Sequence, residues 1–468
     1  MHRLSANEQA LAVWDEALIA RYDLSGPRYT SYPTAPQFDS SFRGSELEQA
    51  IAVSNQRGNP LSLYFHIPFC SRVCYYCACN KIITANRRVA APYLARMERE
   101  MAMMSALLDP SRPVHQLHWG GGTPTYISDD EKRQLMAAIR RHFNLLDDDQ
   151  GEYAIEIHPG DTTVESINCL RELGFNRLSM GIQDFDAEVQ KAVNRFNSVS
   201  EVRALVDASR TLGFHSISMD LIYGLPLQNR DTFNRTLDAV LDLSPDRLSI
   251  FNYAHMPHLF KTQKQMDARQ MPGPEEKLVM LHQATERMLE AGYVYIGMDH
   301  FAKPDDELAV AQRQGKLQRN FQGYATHGDC DLFAFGVSAI SSIGDTFSQN
   351  HKEIADYNAA VDRGELPLAR GLALTDDDLL RARVIEGLIC HFCLDFRAIE
   401  AQFGIAFERY FSEELEALNA MAQDGLVVLE PSGIQVTPAG RLLIRRICMV
   451  FDAWLKRAQA PQKFSRII

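Results

Sequence analysis

The sequence predicts an α/β protein: a partial (β/α)6 TIM-like barrel, an elaborated segment after it, and a mostly helical, winged-helix-like C-terminal domain. Three observations predict this fold. Short β-like runs alternate with amphipathic helical stretches from about residue 60 to 300. Chemically suggestive residues follow the ends of the β-like runs, and helix-like stretches dominate after about residue 375. The expected parts are an N-terminal entry segment (1–40), the barrel (41–300), the elaborated segment (301–372) and the helical domain (373–468).

Six β-like runs define the predicted barrel. They cover 61–67, 115–119, 153–158, 176–182, 216–222 and 247–253. The helix-like segments between them cover 92–108, 130–143, 164–174, 199–213 and 231–243. Several begin with an acidic or hydroxyl residue and end with glycine, as helices commonly do. This alternation is typical of parallel βαβ units, which build either a barrel or a doubly wound open sheet.

The positions of the polar and glycine-rich segments favour the barrel. Four cysteines follow the first run, GGGTP (120–124) the second, Gln183 the fourth, YGLP (223–226) the fifth and NYAH (252–255) the sixth. Parallel barrels carry their active sites at the carboxyl ends of the strands. Such loops are also rich in glycine and proline for purely structural reasons, but polar residues that converge from several strands favour a functional site.

The region after residue 300 departs from the alternation. The stretch 302–341 is interpreted as an elaborated segment that closes over the barrel. Helices are predicted at 375–390, 395–404, 410–425 and 439–458, with a hairpin at 426–436. Helices with a hairpin resemble a winged-helix module. Because the charge is mixed and no basic run occurs, a packing or lid role is predicted rather than nucleic-acid binding.

Composition narrows the class of protein. The chain has 468 residues, 46% hydrophobic, with 48 Lys and Arg against 60 Asp and Glu, a net charge of −12. This balance allows a large core and disfavours bulk binding to nucleic acid. No segment reaches the roughly 18 apolar residues of a membrane span, and the N-terminus lacks the apolar core of a signal peptide. We therefore expect a cytoplasmic monomer without nucleic-acid or membrane partners.

The cysteine loop is the strongest chemical signal. Cys70, Cys74 and Cys77 have C-x3-C-x2-C spacing, and in a reducing compartment clustered thiols are more often metal ligands or catalytic groups than disulfides. Three thiolates on one tight loop suit a [4Fe–4S] cluster. The fourth iron then stays open and can bind a substrate directly.

A structural zinc site is the alternative, with Cys79 or His66 as the fourth ligand. Such sites usually pair two knuckles that lie far apart in sequence, and no second knuckle is evident. Cys390 and Cys393 form a C-x2-C pair, but they lie within a helix-like apolar run and are interpreted as buried small hydrophobic residues.

The cysteine spacing, followed some forty residues later by GGGTP, resembles the radical S-adenosylmethionine superfamily. Longer motifs resemble the oxygen-independent coproporphyrinogen III oxidase family over almost the whole chain. These motifs lie at 25–35, 66–70, 79–82, 117–126, 176–185, 220–226, 251–257, 297–309, 322–329, 433–452 and 464–468.

The resemblance implies the reaction. Two of the four propionates of coproporphyrinogen III would be oxidatively decarboxylated to vinyl groups, giving protoporphyrinogen IX in haem biosynthesis. The open iron would bind S-adenosylmethionine, and an electron from the cluster would release the 5′-deoxyadenosyl radical that takes hydrogen from a propionate β-carbon. The electron donor and final acceptor remain unidentified. Arg28, Lys81 and Arg319 are candidate partners of the propionates.

The resemblance also implies the site residues, with two S-adenosylmethionine molecules in one site. The cluster ligands are Cys70, Cys74 and Cys77. The first S-adenosylmethionine would contact Tyr64, Tyr76, Gly121, Glu156 and Ile340. The second would contact Gly122, Thr123, Gln183, Arg195, Asp220 and Ala254. Cys79 is not needed as a ligand, and we expect it near the reacting substrate in a structural or catalytic role.

The sequence departs from the family pattern at two places. Tyr76 occupies an aromatic position that is often Phe, and His158 and Gly160 lie where an acidic residue and an Arg are common. The second departure changes the local support of Glu156. Two alternative functions stay open: a related haem chaperone-like protein, and a zinc-bearing interaction protein. The entry segment RYTSYPT (28–34) and Cys79 count against the chaperone-like branch.

Overall fold

The fold is built on one large sheet, seen in a computed structural model that describes residues 12–147, 149–457, 464 and 466. The strands are β1 (Leu61–Ile67), β2 (Phe69–Cys70), β3 (Ile82–Ile83), β4 (Pro113–Gly121), β5 (Asn144–Leu145), β6 (Glu152–Ile157), β7 (Arg177–Gln183), β8 (Ser216–Tyr223), β9 (Arg247–Asn252), β10 (Val294–Gly297), β11 (His300–Ala302), β12 (Gln318–Asn320), β13 (Gly323–Ala325), β14 (Asp331–Phe335), β15 (Ile340–Ile343), β16 (Thr346–Asn350), β17 (Leu368–Ala373), β18 (Cys393–Asp395), β19 (Val427–Glu430) and β20 (Gly433–Val436).

Helices connect and cover these strands. They are α1 (Glu16–Tyr22), α2 (Gly44–Arg57), α3 (Ala90–Ser105), α4 (Asp129–His142), α5 (Val164–Glu172), α6 (Ala187–Val193), α7 (Val199–Thr211), α8 (Arg230–Leu243), α9 (Pro274–Glu290), α10 (Glu307–Arg313), α11 (Ile354–Asp362), α12 (Asp376–His391), α13 (Phe396–Phe403), α14 (Phe407–Tyr410), α15 (Ser412–Gln423), α16 (Ile444–Cys448) and α17 (Ala453–Arg457). Within the described residues, no helix has both the length and the apolar character needed to cross a bilayer.

The six predicted strands all form and are parallel. They lie side by side in chain order as β1, β4, β6, β7, β8 and β9. A doubly wound sheet reverses its strand order at a switch point, so this unreversed order excludes that alternative. The outermost strands, β10 and β17, do not pair with each other in the described part of the chain, and the barrel is therefore partial.

Side chains along the barrel strands alternate between core and lumen. In β6, Tyr153, Ile155 and Ile157 are buried in the core, whereas Glu152 and Glu156 line the inside of the barrel. This follows from the two-residue period of a strand. Because the inner face carries polar side chains, the lumen is a cavity of about 310 Å³ rather than a packed core.

The elaborated segment adds more to the sheet than the sequence predicts. β14 pairs in parallel with β1, and β15, β16 and β17 continue the sheet as antiparallel strands. The hairpin of β12 and β13 lies beside the lumen, where Tyr324 and Ala325 form part of the cavity wall. The segment thus extends the barrel on one side and covers its lumen.

The C-terminal region combines helices with a small sheet, as predicted. The hairpin expected at 426–436 is β19 with β20, and β18 joins β20 on its other side. The prediction that Cys390 and Cys393 share one helix is wrong for Cys393. Helix α12 ends at His391, Phe392 takes a left-handed conformation with φ of 56°, and Cys393 begins β18. Cys390 is fully buried, as expected of a small hydrophobic residue.

Candidate functional site

The cysteine loop lies at the carboxyl end of β1. The short parallel pair of β2 and β3 closes its base, where the amide of Thr84 donates to the carbonyl of Cys70 at 3.0 Å. At the tip, the amide of Cys77 donates to the carbonyl of Cys74 at 3.2 Å. All four thiols of the loop therefore stand at the strand-end face of the barrel.

A cavity of about 260 Å³ opens between this loop and the ends of the neighbouring strands. Many of the residues singled out from the sequence line it: Cys70, Cys74, Tyr76, Cys77, Cys79, Gly121, Gly122, Thr123, Glu156, Gln183, Arg195 and Asp220. They come from the loop, from β4, β6, β7 and β8 or the residues just after them, and, in the case of Arg195, from the segment that follows α6. The expected convergence of strand-end residues is therefore present.

Tyr64 lies next to this cavity rather than on its wall. It is on β1 and stacks on His118 with ring centroids 5.8 Å apart. The Nε2 atom of His118 is in turn 3.2 Å from Oε1 of Glu156, which lines both this cavity and the lumen. Tyr64 is thus coupled to the cavity through one intervening side chain.

Ala254 and Ile340 are not on the wall of the cysteine cavity. Ala254 is on the wall of a separate cavity of about 380 Å³. Its carbonyl accepts a hydrogen bond of 3.4 Å from Nε2 of Gln263, which also donates to the carbonyl of Tyr76 at 3.1 Å. Ile340 is half-buried on β15, one strand beyond β14. The structure does not bring these two residues to the cysteine cavity.

Hydrogen-bond donors and positive charges surround the cysteine sulfur atoms and suit them to the thiolate form. Thr123 Oγ1 donates to Cys70 Sγ at 3.4 Å, and Arg195 Nη1 donates to Cys74 Sγ at 3.7 Å. Lys81 Nζ donates to the carbonyl of Cys77 at 2.8 Å. Such hydrogen bonds and positive charges stabilise ligating thiolates and tune the potential of an iron–sulfur cluster.

The same geometry argues against a single zinc ion. Both ring nitrogens of His66 have partners: Nδ1 lies 3.1 Å from the hydroxyl of Tyr64, and Nε2 lies 2.9 Å from the carbonyl of Asn80. In the described residues, no three His, Cys, Asp or Glu side chains are placed to hold one metal ion. A zinc ion needs its ligands about 2.3 Å from one point, whereas a cubic cluster spreads its cysteines apart. The donor set fits the cluster better.

Two buried polar atoms at the cavity lack partners. They are Nε of Arg195 and Oε1 of Gln183, considering the parts of the chain that the structure describes. Buried polar groups are normally hydrogen-bonded, and leaving one unpaired is unfavourable by roughly 1–3 kcal/mol. A polar ligand in the cavity, such as the methionyl and ribosyl groups of S-adenosylmethionine, would supply the missing partners.

Glycines let the backbone form the cavity wall. Gly121 has φ of +116°, and a Cβ atom there would lie 2.8 Å from the ring of His66. A Cβ atom on Gly122 would lie 2.5 Å from the carbonyl oxygen of Pro68. A side chain at either position would collide with the end of β1 or with the residues that lead from it into the cysteine loop, so glycine is required for this segment to approach β4.

Glu156 and Asp220, two carboxyl groups on the wall of the cysteine cavity, have different pKa values. Burial tends to raise the pKa of Glu156, but hydrogen bonds from His118 and from the amide of Gly121, each 3.2 Å long, together with the charge of His118, hold that pKa below its usual range. Burial raises the pKa of Asp220 to about 6, and the charge of Glu156 adds to the effect. Glu156 is therefore ionised at neutral pH, whereas Asp220 titrates just below it.

The sequence departure at His158 has a local structural explanation. Nδ1 of His158 accepts from the amide of Gly160 at 3.0 Å and so begins a short turn.

His118 supports Glu156, a role that the sequence analysis missed because His118 lies within a strand rather than at its end. The signal was the alternation of Gln116, His118 and Gly120 along β4, which places all three on one face.

Comparison with known proteins agrees with this site. The Radical SAM superfamily model matches residues 64–240, and the HemN C-terminal domain model matches 374–443. The oxygen-independent coproporphyrinogen III oxidase of Pseudomonas aeruginosa is 55% identical over 455 residues, covering 97% of this chain and 99% of that protein. The Escherichia coli protein of the same name is 50% identical, covering 97% and 98%.

A solved structure agrees as well, that of coproporphyrinogen III oxidase (HemN) from Escherichia coli, which is described as a radical SAM enzyme. It superposes on this chain with a TM-score of 0.91. The sequence identity is 48%, and the alignment covers 95% of this chain and all of that one. The cysteine loop, the sequential parallel sheet and the similarity along nearly the whole length give one conclusion: the chain belongs to the oxygen-independent coproporphyrinogen III oxidase family of radical S-adenosylmethionine proteins.

Proposed function

We propose that the protein oxidatively decarboxylates two propionates of coproporphyrinogen III to vinyl groups without oxygen, giving protoporphyrinogen IX. Each conversion removes one hydrogen atom, one CO2 and one electron from the side chain. The observation that carries the proposal is the cavity that the three-cysteine loop shares with Arg195 and Gln183. Each of these two residues has a buried polar atom without a partner within the described chain. The protein is also 55% identical to the oxygen-independent coproporphyrinogen III oxidase of Pseudomonas aeruginosa.

The cofactors of this reaction would be a [4Fe–4S] cluster and S-adenosylmethionine. Cys70, Cys74 and Cys77 would hold three irons of the cluster, and when both groups are bound they supply the 5′-deoxyadenosyl radical that abstracts hydrogen. Cys79 follows on the same loop and lines the same cavity, but it is the exposed residue of the four. We assign it a role toward the substrate rather than toward iron.

We propose two S-adenosylmethionine molecules with separate contacts. The first would contact Tyr64, Tyr76, Gly121, Glu156 and Ile340; the second would contact Gly122, Thr123, Gln183, Arg195, Asp220 and Ala254. The volume of the site supports this proposal. The cysteine cavity shares Glu156, Ser179 and Asp220 with the lumen of about 310 Å³, so one ligand can lie behind the other. For Ala254 and Ile340 the proposal rests on the family resemblance alone.

The tetrapyrrole would lie farther along the same path. The lumen shares Gln116 with another cavity, of about 450 Å³, bounded by the entry segment, the hairpin of β12 and β13, and helix α12. A volume of several hundred Å³ is usual for sites that enclose a ligand of this kind. Substrate bound there would face the cysteine loop across the lumen.

The surroundings of the reaction are also proposed. A separate electron donor would reduce the cluster, and a separate acceptor would take the electron left after decarboxylation. We propose that the protein acts as a cytoplasmic monomer without nucleic-acid or membrane partners. The net charge of −12 supports the exclusion of nucleic acid, which requires a basic surface.

Anaerobic reconstitution tests the proposed function. The purified protein receives iron and sulfide, then S-adenosylmethionine, a reductant, an electron acceptor and coproporphyrinogen III. We expect protoporphyrinogen together with a matching amount of 5′-deoxyadenosine, and neither product from the Cys74→Ser variant. Cleavage of S-adenosylmethionine by the wild type without decarboxylation would favour the chaperone-like alternative. A colourless protein that retains zinc would favour the interaction protein.

A further inference from the structure

Arg319 stands at the border between the lumen and the 450 Å³ cavity. It is the middle residue of β12 and lines that cavity. Its guanidinium carbon lies 4.7 Å from the ring centroid of Tyr324, which packs edge-to-face on His300 at 5.2 Å. Tyr324 and His300 both line the lumen. The aromatic stack therefore holds the guanidinium at the junction of the two spaces.

In the part of the chain that the structure describes, the guanidinium of Arg319 lies over the ring of Tyr324 and pairs with no carboxylate. Among the described residues, its Nε and Nη1 atoms are buried without a hydrogen-bond partner, and no carboxylate lies within ion-pairing distance. Other charges on the cavity wall are paired: Arg383 with Glu386 at 2.6 Å, and Asp345 with an arginine outside the cavity at 3.0 Å. Arg319 is half-buried as a residue, and guanidinium nitrogens that are buried are nearly always paired, so this position is suited to binding an anion.

Neighbouring polar atoms lack partners as well. Within the same described ranges, Oγ of Ser62, Oε1 of Gln116, Nε2 of Gln322 and Nδ1 of His300 are buried and unpartnered. All four residues line either the 450 Å³ cavity or the lumen. This grouping is unusual for a protein interior and indicates a polar ligand that spans the junction.

The other candidate cations are already engaged. Arg28 forms an ion pair of 2.6 Å with Asp299, and Lys81 donates to the carbonyl of Cys77 at 2.8 Å. Of the three basic residues considered from the sequence, Arg319 is the one whose donors are directed to no protein acceptor in the described chain.

We propose that Arg319 binds the carboxylate of a substrate propionate that is retained in the product. The proposal rests on the proposed function. A guanidinium pairs a carboxylate through two parallel hydrogen bonds and stabilises its negative charge. Loss of CO2 removes that charge, so a strong pair to a reacting propionate would stabilise the ground state more than the transition state. A fixed cation is therefore suited to a propionate that does not react.

The first test compares Arg319→Met and Arg319→Lys with the wild type in the reconstituted assay. We expect the KM for coproporphyrinogen III to rise about 10- to 100-fold in R319M and less in R319K, because a charged hydrogen bond is lost or weakened. The rate of S-adenosylmethionine cleavage without substrate and the iron content should stay normal. Arg313→Met is the matched control, since Arg313 is exposed and should leave KM unchanged.

The second test uses the tetramethyl ester of coproporphyrinogen III as a competitive inhibitor. The ester lacks carboxylates, so wild type and R319M should bind it equally well while differing for the free acid. An unchanged KM in R319M, or equal weakening for acid and ester, would overturn the proposal. If R319M loses its iron, the same comparison of acid and ester in R319K tests the proposal. An inactive wild type would instead refute the proposed function itself.

Discussion

Arg112 and Asp331 form an ion pair of 2.6 Å whose side chains are only 2% and 6% exposed. Arg112 immediately precedes β4, and Asp331 is the first residue of β14. The pair therefore fastens a strand from late in the chain to the early barrel. Ser54 of α2 is hydrogen-bonded to both partners, and the amide of Gly344 donates to Asp331 at 2.9 Å.

Breaking this pair should destabilise the fold without removing the cluster. We expect Arg112→Met to lower the free energy of unfolding by about 3–5 kcal/mol, because Asp331 is left buried and charged without its partner. The double variant R112M/D331L should recover part of that loss. Urea unfolding of the anaerobic protein measures the free energy of unfolding of both variants. The pair lies at the end of the strands opposite the cysteines, so the iron content after reconstitution should be unaffected below the unfolding temperature. Equal stability of R112M and wild type would show that the pair contributes nothing.

The four cysteines of the loop should divide into three and one. Cys74→Ser should lose most of the iron, sulfide and brown absorbance after reconstitution, because one thiolate ligand is missing. Cys79→Ser should keep a normal cluster spectrum and lose turnover. Iron analysis and the 5′-deoxyadenosine assay on the same preparations separate these outcomes. Loss of the cluster in Cys79→Ser would identify Cys79 as a ligand and contradict the division.

Arg195→Lys should weaken binding of S-adenosylmethionine. The guanidinium has one nitrogen near Cys74 Sγ, another bonded to the carbonyl of Gly181, and a buried Nε without a partner in the described chain. Lysine keeps the charge but lacks the planar fork, so we expect KM for S-adenosylmethionine to rise about tenfold or more. Iron content serves as the control. A large loss of iron would indicate that Arg195 acts mainly on the thiolates.

Asp220 should give S-adenosylmethionine binding a pH dependence. Its pKa is raised to about 6, so it is protonated at pH 5 and ionised at pH 7. If the ionised form binds the cofactor, affinity rises about tenfold per pH unit below 6 and levels off above it. Asp220→Asn should remove this slope.

Glu156 provides the contrast for that experiment. Its pKa is held below the usual range, so it stays ionised throughout the window from pH 5 to 7. Glu156→Gln should therefore lower affinity similarly at both ends of the window and leave the slope in place. Binding isotherms at constant ionic strength measure both variants. A slope that survives in Asp220→Asn would assign the titration to another group.

Much of the barrel could be predicted because its signals are local. Each of the six strands combines an apolar β-like run with a following amphipathic helix, and this alternation is visible in a single sequence. β14 was not predicted as a seventh parallel strand. Its run DLFAF (331–335) is short, fully buried and flanked by hairpins rather than by a helix, so it lacks the βαβ pattern.

The candidate site likewise has features that the sequence predicted and features that it did not. The cysteine spacing and the glycine-rich strand end indicated the cofactor class, because ligand spacing on one loop is a property of the sequence. The sequence did not show that His118 supports Glu156, or that Ala254 and Ile340 are not on the wall of the cysteine cavity. Those relationships depend on register between strands that are distant in the chain.

The sequence by itself determined the six barrel strands and their succession along the chain, the loop that carries the thiols and the family, since these follow from periodicity, spacing and motif. Only the tertiary structure decided which charges are paired. The sequence alone does not distinguish the basic residues Arg28, Lys81 and Arg319. In the structure Arg28 pairs with a carboxylate and Lys81 donates to a carbonyl, whereas Arg319, within the described residues, does neither. The physical reason is that pairing depends on distances of a few ångströms between distant segments, and folding alone sets those distances.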